Sequence, residues 1–261
     1  MFDFHMHSTV SFDGHDSPEA MLQAAVEKGL KEICFTDHID YFANVDKQEW
    51  VFETAEYNAA YDCLNHPAVK IRRGVEFGLK PYNAPALQED LKRRTFDFVL
   101  GSVHFVDEKD VYFAEYWDGL TIFEAERRYL EEILTCVQVH EDYDVLGHLT
   151  YISKCRAHPA PRPVPVGEHR EIIDEILKEL VRKGKGMEMN TSGVDRCGDF
   201  LPYDVYCRRF KELGGEIVTV GSDAHTASRV GQYTHRACDI LKDIFGYVCT
   251  FEDRKPIFHK L

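Results

Sequence analysis

Histidine, aspartate and glutamate recur at the ends of short apolar runs throughout this 261-residue chain. His5-Met6-His7 closes the first run, Asp37-His38 the second and Glu76 the third. His104 and His148 close the fourth and fifth, and Asp223-Ala224-His225 the seventh. Imidazole and carboxylate suit zinc, manganese or iron, and the absence of any CxxC pair argues against a structural zinc site. His5 and His7 are two apart, so on a strand both side chains point the same way and grip one ion; Asp223 and His225 repeat that spacing. Nine candidates exceed the roughly four to six ligands one ion takes, which implies two or three divalent metals. A lone His104 or His148 reads more simply as a hydrogen-bonded rim residue. Metal-ligand residue types at six of seven run ends reverse that reading. Asp37, beside His38, reads as a carboxylate supporting a ligand rather than as a ligand.

Those residues need elements that bring them together. The runs are 2–5, 33–36, 69–77, 98–104, 145–148, 187–190 and 217–221, and they alternate with helical segments. Ser17-Pro18-Glu19 is a helix start, closed by Gly29. Ile172, Ile173, Ile176, Leu177, Leu180 and Val181 make one apolar stripe ending near Gly184. Further helices precede Gly214-Gly215 and Gly246. This alternation predicts an α/β fold of parallel βα units, in which strand ends converge on one face. Prolines at 159, 161, 163 and 165 make 158–167 an extended loop, with a lid role as an alternative. His66, His140, His158, His169, His235 and His259 lack a strand-end position and read as surface residues; His15 is either near the site or solvated.

Composition narrows the function. The formal net charge is -14, from 45 acidic against 31 basic residues, which disfavours nucleic acid and anionic membrane as partners. A phosphorylated substrate would need local cations, which bound metals supply. No apolar run spans a bilayer and the start lacks a signal-peptide pattern, so the expectation is a soluble cytoplasmic protein forming a single domain over 1–261. The eight cysteines show no regular spacing and read as reduced thiols, several of them buried.

The ordered motifs Asp3-Phe4-His5-Met6-His7, Thr36-Asp37-His38, Gly74-Val75-Glu76, Ser102-Val103-His104, Gly147-His148 and Gly221-Ser222-Asp223-Ala224-His225 resemble those of the PHP (polymerase and histidinol phosphatase) superfamily. The resemblance implies a distorted (β/α)7 TIM-like barrel with a trinuclear metal centre. By that likeness His5, His7, Glu76 and Asp223 hold the first metal. Glu76, as a bridging carboxylate, holds the second with His104 and His148. Asp13, His38 and His225 hold the third, with His15 as the alternative to Asp13. The stretch Glu188-Met189-Asn190-Thr191-Ser192-Gly193 with Arg196, and the lack of an appended polymerase, are similar to the histidinol-phosphate phosphatase branch. Thr150 departs from members with an acid at that position.

The resemblance implies a metal-dependent phosphomonoesterase acting on L-histidinol phosphate in histidine biosynthesis, through a metal-bridging hydroxide. Arg196 is the first choice for the phosphate clamp, followed by Lys154, Arg156 and Arg229, with Ser192 alongside. Asp223 or His225 relays a proton to the leaving group, which makes Asp223, His225 and Arg196 the catalytic candidates. Rival readings are a PHP phosphoesterase for a nucleotide or cyclic phosphodiester, and a noncatalytic metal-binding module. The ligand count generates the first expectation. Elemental analysis of purified protein should find two or three divalent ions per chain, and a chain that stays metal-free after reconstitution would refute it.

Overall fold

The computed structural model describes residues 1–41 and 50–261. Seven strands, β1 (Phe2–Met6), β2 (Glu32–Phe35), β3 (Lys70–Gly78), β4 (Phe98–Ser102), β5 (Val145–Leu146), β6 (Gly186–Asn190) and β7 (Val218–Gly221), pair in sequence order. All six pairings are parallel. The sheet then curls until its ends meet: His7 N–H donates to the Ala224 carbonyl at 2.8 Å, and Asp223 N–H to the His5 carbonyl at 2.8 Å. The expected distorted (β/α)7 barrel is the fold observed.

Helices pack outside it. They are α1 (Pro18–Glu27), α2 (Thr54–Tyr61), α3 (Ala84–Arg93), α4 (Ile122–Val139), α5 (Val166–Arg182), α6 (Asp204–Glu212) and α7 (Thr234–Ile244). Ser17 accepts the Ala20 N–H at the start of α1, and Thr121 and Glu124 form a reciprocal capping box on α4. The stripe from Ile172 to Leu180 is buried against the barrel, as its spacing predicts.

Strand β1 holds a departure from simple alternation. Asp3 pairs with Ile33 but Met6 with Phe35, so β1 carries one extra residue. This bulge lets Phe4 and His5, neighbours in sequence, both face the barrel interior. Phe4 joins Cys34, Phe98, Leu100, Val145 and Phe251 in an apolar plug, whereas His5 turns to Glu76 and Glu188. Phe251 comes from a C-terminal antiparallel hairpin, β8 (Tyr247–Glu252) and β9 (Lys255–Lys260), which the sequence reading did not foresee. Arg254 of the hairpin turn contacts Asp144, and Arg72 reaches Glu252 at 2.8 Å, so the hairpin covers the N-terminal strand ends. The opposite end is left open for chemistry.

Three histidines expected at the surface are buried. His140 donates to the Lys80 carbonyl at 2.9 Å, His169 meets Glu126 at 3.0 Å, and His158 packs on Trp117 with ring centroids 4.7 Å apart. Partners distant in sequence bury them, so spacing along the chain did not reveal it. His235 is exposed, while His66 and His259 are half-buried. All eight cysteines are free thiols and seven are buried. Among the described residues no helix is long and apolar enough to cross a membrane.

Phe251 is 2% exposed. Phe251→Ala should lower unfolding free energy by about 3–5 kcal/mol in urea denaturation. A loss under about 1 kcal/mol would show that the hairpin does not seal the barrel.

Candidate metal centre

At the open end, the bulged β1 presents His5 and His7 with their Nε2 atoms 3.1 Å apart, both fully buried. Glu76, on β3, places Oε2 3.0 Å from His5 Nε2 and 3.3 Å from His7 Nε2. Asp223 Oδ1 lies 3.6 and 3.5 Å from the same two nitrogens. Donor atoms on a tetrahedral ion with bonds of about 2.0–2.1 Å are separated by about 3.3 Å. His5, His7 and Asp223 thus stand at the mutual spacing a single ion requires, with Glu76 beside both imidazoles.

The second oxygen of Glu76 faces elsewhere. Oε1 is 2.8 Å from His148 Nε2 and 3.4 Å from His104 Nε2. One carboxylate therefore turns its two oxygens to two separate histidine groups, the disposition of a bridge. Asp13 Oδ2 lies 3.0 Å from His225 Nε2 and 3.6 Å from His38 Nε2, which forms a third group. Its Oδ1 is buried without a hydrogen-bond partner, which suits a cation. His15 is exposed; it lines the cleft above, and its N–H donates to the His225 carbonyl. The donor set, its spacing and the orphaned oxygen together fit divalent metal.

Four of the six cluster imidazoles turn Nε2 inward and engage Nδ1 elsewhere, while His38 sets Nδ1 between Asp40 and Glu76. His5 Nδ1 meets Glu188 at 2.7 Å, His7 Nδ1 meets Ser11 at 3.2 Å, and His225 Nδ1 meets the Asp223 carbonyl at 3.0 Å. Asp40 serves two rings, at 3.1 Å from His38 Nδ1 and 3.3 Å from His104 Nδ1. Such contacts fix ring orientation and tautomer. Ser11, Asp40 and the role of Glu188 escaped the sequence reading. Asp40 had a usable signal, two residues beyond His38 on the short strand His38–Asp40. Gly78 makes room for it, because a Cβ there would lie 1.8 Å from Asp40 Oδ1.

Two expectations of local geometry need correction. Asp223 and His225 do not share a strand: β7 ends at Gly221, and Asp223 has a left-handed φ of 54°. The hydrogen bonds that close the barrel hold that turn, and both side chains still reach the cluster. Asp37 touches no cluster imidazole. It accepts the Ser8 N–H at 2.8 Å and the Tyr61 hydroxyl, tying the exit of β1 to α2.

Burial opposes charge at these groups, and their mutual attraction overrides it at most of them. At His5, Glu76, Glu188 and Asp223 outweigh burial and hold the pKa well above the ordinary imidazole value. His7 is raised to about 9 against burial by Asp223 and Glu76. Burial raises the Glu76 pKa, but His5 and His38 bring it well below the carboxylate range. Asp40 falls to about 2 against burial, through His104 and His38. His148 and His225 go the other way, with burial lowering both. The cluster is built to hold positive charge, and divalent ions compete with protons for these nitrogens.

A cleft of about 610 Å³ opens above the cluster. Lys154, Arg156, Ser192 and Arg196 line it. Lys154 Nζ contacts Asp223 Oδ2 and donates to Ser192 Oγ at 2.8 Å. Arg196 donates to the Arg156 carbonyl at 2.9 Å. Arg229 is not brought in: it pairs with Asp195 at 3.1 Å and lines no part of the cleft. Nor does any residue of the proline-rich loop 158–167 line it.

A PHP domain family model matches residues 3–192. The chain belongs to the PHP family. This PHP domain is 33% identical over 264 residues to histidinol-phosphatase of Lactococcus lactis subsp. lactis, covering 97% of this chain and 95% of that one. It is 32% identical to a probable histidinol-phosphatase of Clostridium acetobutylicum, covering 88% and 89% of the two chains. The crystal structure of histidinol phosphate phosphatase from Lactococcus lactis subsp. lactis, complexed with zinc, L-histidinol and phosphate, matches the PHP domain with a TM-score of 0.86. That match holds at 30% identity and covers 98% of each chain.

The two-sided contacts of Glu76 lead to an expected outcome. Glu76→Gln keeps the shape and removes the charge, and should lose at least one equivalent of bound metal by elemental analysis. Unchanged stoichiometry would exclude Glu76 as a bridge.

Proposed function

We propose that this protein is a metal-dependent phosphomonoesterase that hydrolyses L-histidinol phosphate to L-histidinol and phosphate, as a step of histidine biosynthesis. The observation that carries this is the full-length likeness, in sequence and fold, to a phosphatase whose crystal structure holds zinc, L-histidinol and phosphate. The donor cluster beneath the cleft supports the same reading.

In this reading His5, His7, Glu76 and Asp223 hold one ion, Glu76 with His104 and His148 a second, and Asp13, His38 and His225 a third. Bound there, divalent ions neutralise phosphate charge and lower the pKa of water towards about 7. The chain's own cations do the rest of the anchoring. Arg196, Arg156 and Lys154 lie on one side of the cleft, and Ser192 donates and accepts beside them. Guanidinium suits phosphate oxygens because its planar N–H groups pair with two of them at once. Asp223 touches Lys154, Ser192 and the His5–His7 pair, so it connects the ion cluster to the anion side. Lys154 and His5 hold its pKa well below the carboxylate range against burial, which keeps it ionised and able to accept hydrogen bonds from a water or leaving group. His225, half-exposed beside it, is the second candidate for passing a proton to the leaving oxygen.

The proposal extends to a cytoplasmic location and to a small phosphate ester as the partner, without nucleic acid or membrane. The unpaired, mostly buried cysteines support a reducing compartment.

Metal-reconstituted enzyme should prefer histidinol phosphate over nucleotides and cyclic phosphodiesters by orders of magnitude in kcat/KM. Comparable rates across that panel would sink the substrate assignment. Asp223→Asn should lower kcat by at least about 100-fold, and Arg196→Ala should raise KM about tenfold or more. Wild-type constants in either variant would remove that residue from its role.

A further inference from the structure

Arg196 stands on a weak element. The helix Val194–Cys197 that carries it is four residues long, starts at Gly193 without a side-chain cap and ends at Gly198 with a left-handed φ of 88°. One turn of helix does not hold itself together in water, because nucleation is unfavourable and too few hydrogen bonds follow to offset it. Contacts from outside must fix it. Cys197 supplies one by burial on the inner side. On the outer side stands Asp195, next to Arg196 in sequence and exposed.

Asp195 is tied to the loop after β7. The Tyr233 hydroxyl donates to its Oδ1 at 2.7 Å, and Arg229 and Gln232 both donate to its Oδ2 at 3.1 Å. Tyr233 and then Arg229 hold its carboxyl below the usual carboxylate range, against slight burial. The Thr191 hydroxyl strengthens the same seam, donating to the Gln232 carbonyl at 2.6 Å. Tyr233 reaches Asp195 from a left-handed backbone, φ 60°, a conformation unfavourable for a residue with a Cβ and kept only where the surroundings enforce it. Arg196 points the other way, donating to the Arg156 carbonyl at 2.9 Å in the loop after β5. A single exposed ion pair contributes little. Here a guanidinium, an amide and a phenol share one carboxylate, so its place is over-determined.

We propose that Asp195 is a positioning residue for the phosphate site: by latching the loop after β6 to the loop after β7, it sets the helical turn from which Arg196 reaches the anion. Arg229 then serves the site at one remove, through Asp195. The inference rests on the phosphomonoesterase reading above, with Arg196 as its clamp.

The test is calorimetric binding of inorganic phosphate to the metal-loaded protein, with kinetics on histidinol phosphate beside it. Asp195→Ala should weaken phosphate about five- to tenfold and raise KM to match, with kcat within about twofold and metal content unchanged, the size of one hydrogen bond. Asp195→Asn should recover part of the loss, since an amide oxygen still accepts. In a positioning role the losses do not add: the double variant Asp195→Ala/Arg196→Ala should bind phosphate no more weakly than Arg196→Ala alone. Additive losses, or wild-type phosphate affinity in Asp195→Ala, overturn the proposal. Should Asp195→Ala fold poorly, Tyr233→Phe takes its place in the same cycle, and wild-type affinity there overturns it equally. If the wild type does not favour histidinol phosphate, the substrate assignment falls alone, and the phosphate affinities still decide on Asp195. Wild-type affinity in Arg196→Ala refutes the clamp and this inference with it.

Discussion

One buried carboxylate organises this molecule. Glu76 is 1% exposed and lies within 3.4 Å of nitrogens from His5, His7, His38, His104 and His148. A carboxylate so buried is stable only because cationic or ionised partners surround it. His5, His7 and His104 in turn hold charge only because Glu76, Asp223, Glu188 and Asp40 are there. Neither half of the arrangement would stay charged alone.

The barrel exists, from this viewpoint, to hold that cluster. Strand order brings residues from positions 5 to 225 to one rim, and the β1 bulge turns His5 inward without unseating Phe4 from the plug below. The left-handed turn at Asp223 does the matching task where β7 meets β1. Both irregularities sit at the seam where the sheet closes on itself. A regular strand would have sent one of each neighbouring pair outward.

Around the metals the cleft divides by chemistry. Its cations follow β5 and β6, while Phe105, Asp110, Tyr112 and Phe113 follow β4 and further rings, Phe12, Trp50 and Tyr151, stand elsewhere on the wall. The cation arc is the part of the wall that matches an anion. It also gives a net acidic protein a local surface to which phosphate can bind.

The sequence by itself determined the alternation of strands and helices, the ligand types at strand ends and their order along the chain. These are local properties: apolar periodicity, helix caps and the residue that follows each run. It also carried the likeness to the PHP family, because six motifs in order leave little freedom. Tertiary structure alone decided what depends on residues distant in sequence. It placed Asp13 Oδ2 against His225 and left His15 in solvent. It set Ser11, Asp40 and Glu188 on the outer nitrogens of the rings, buried three histidines that looked exposed, and sent Arg229 to Asp195. Spacing along a chain specifies which side chains can share a face. Only closure of the barrel brings His5 and Asp223 within 3.6 Å of each other.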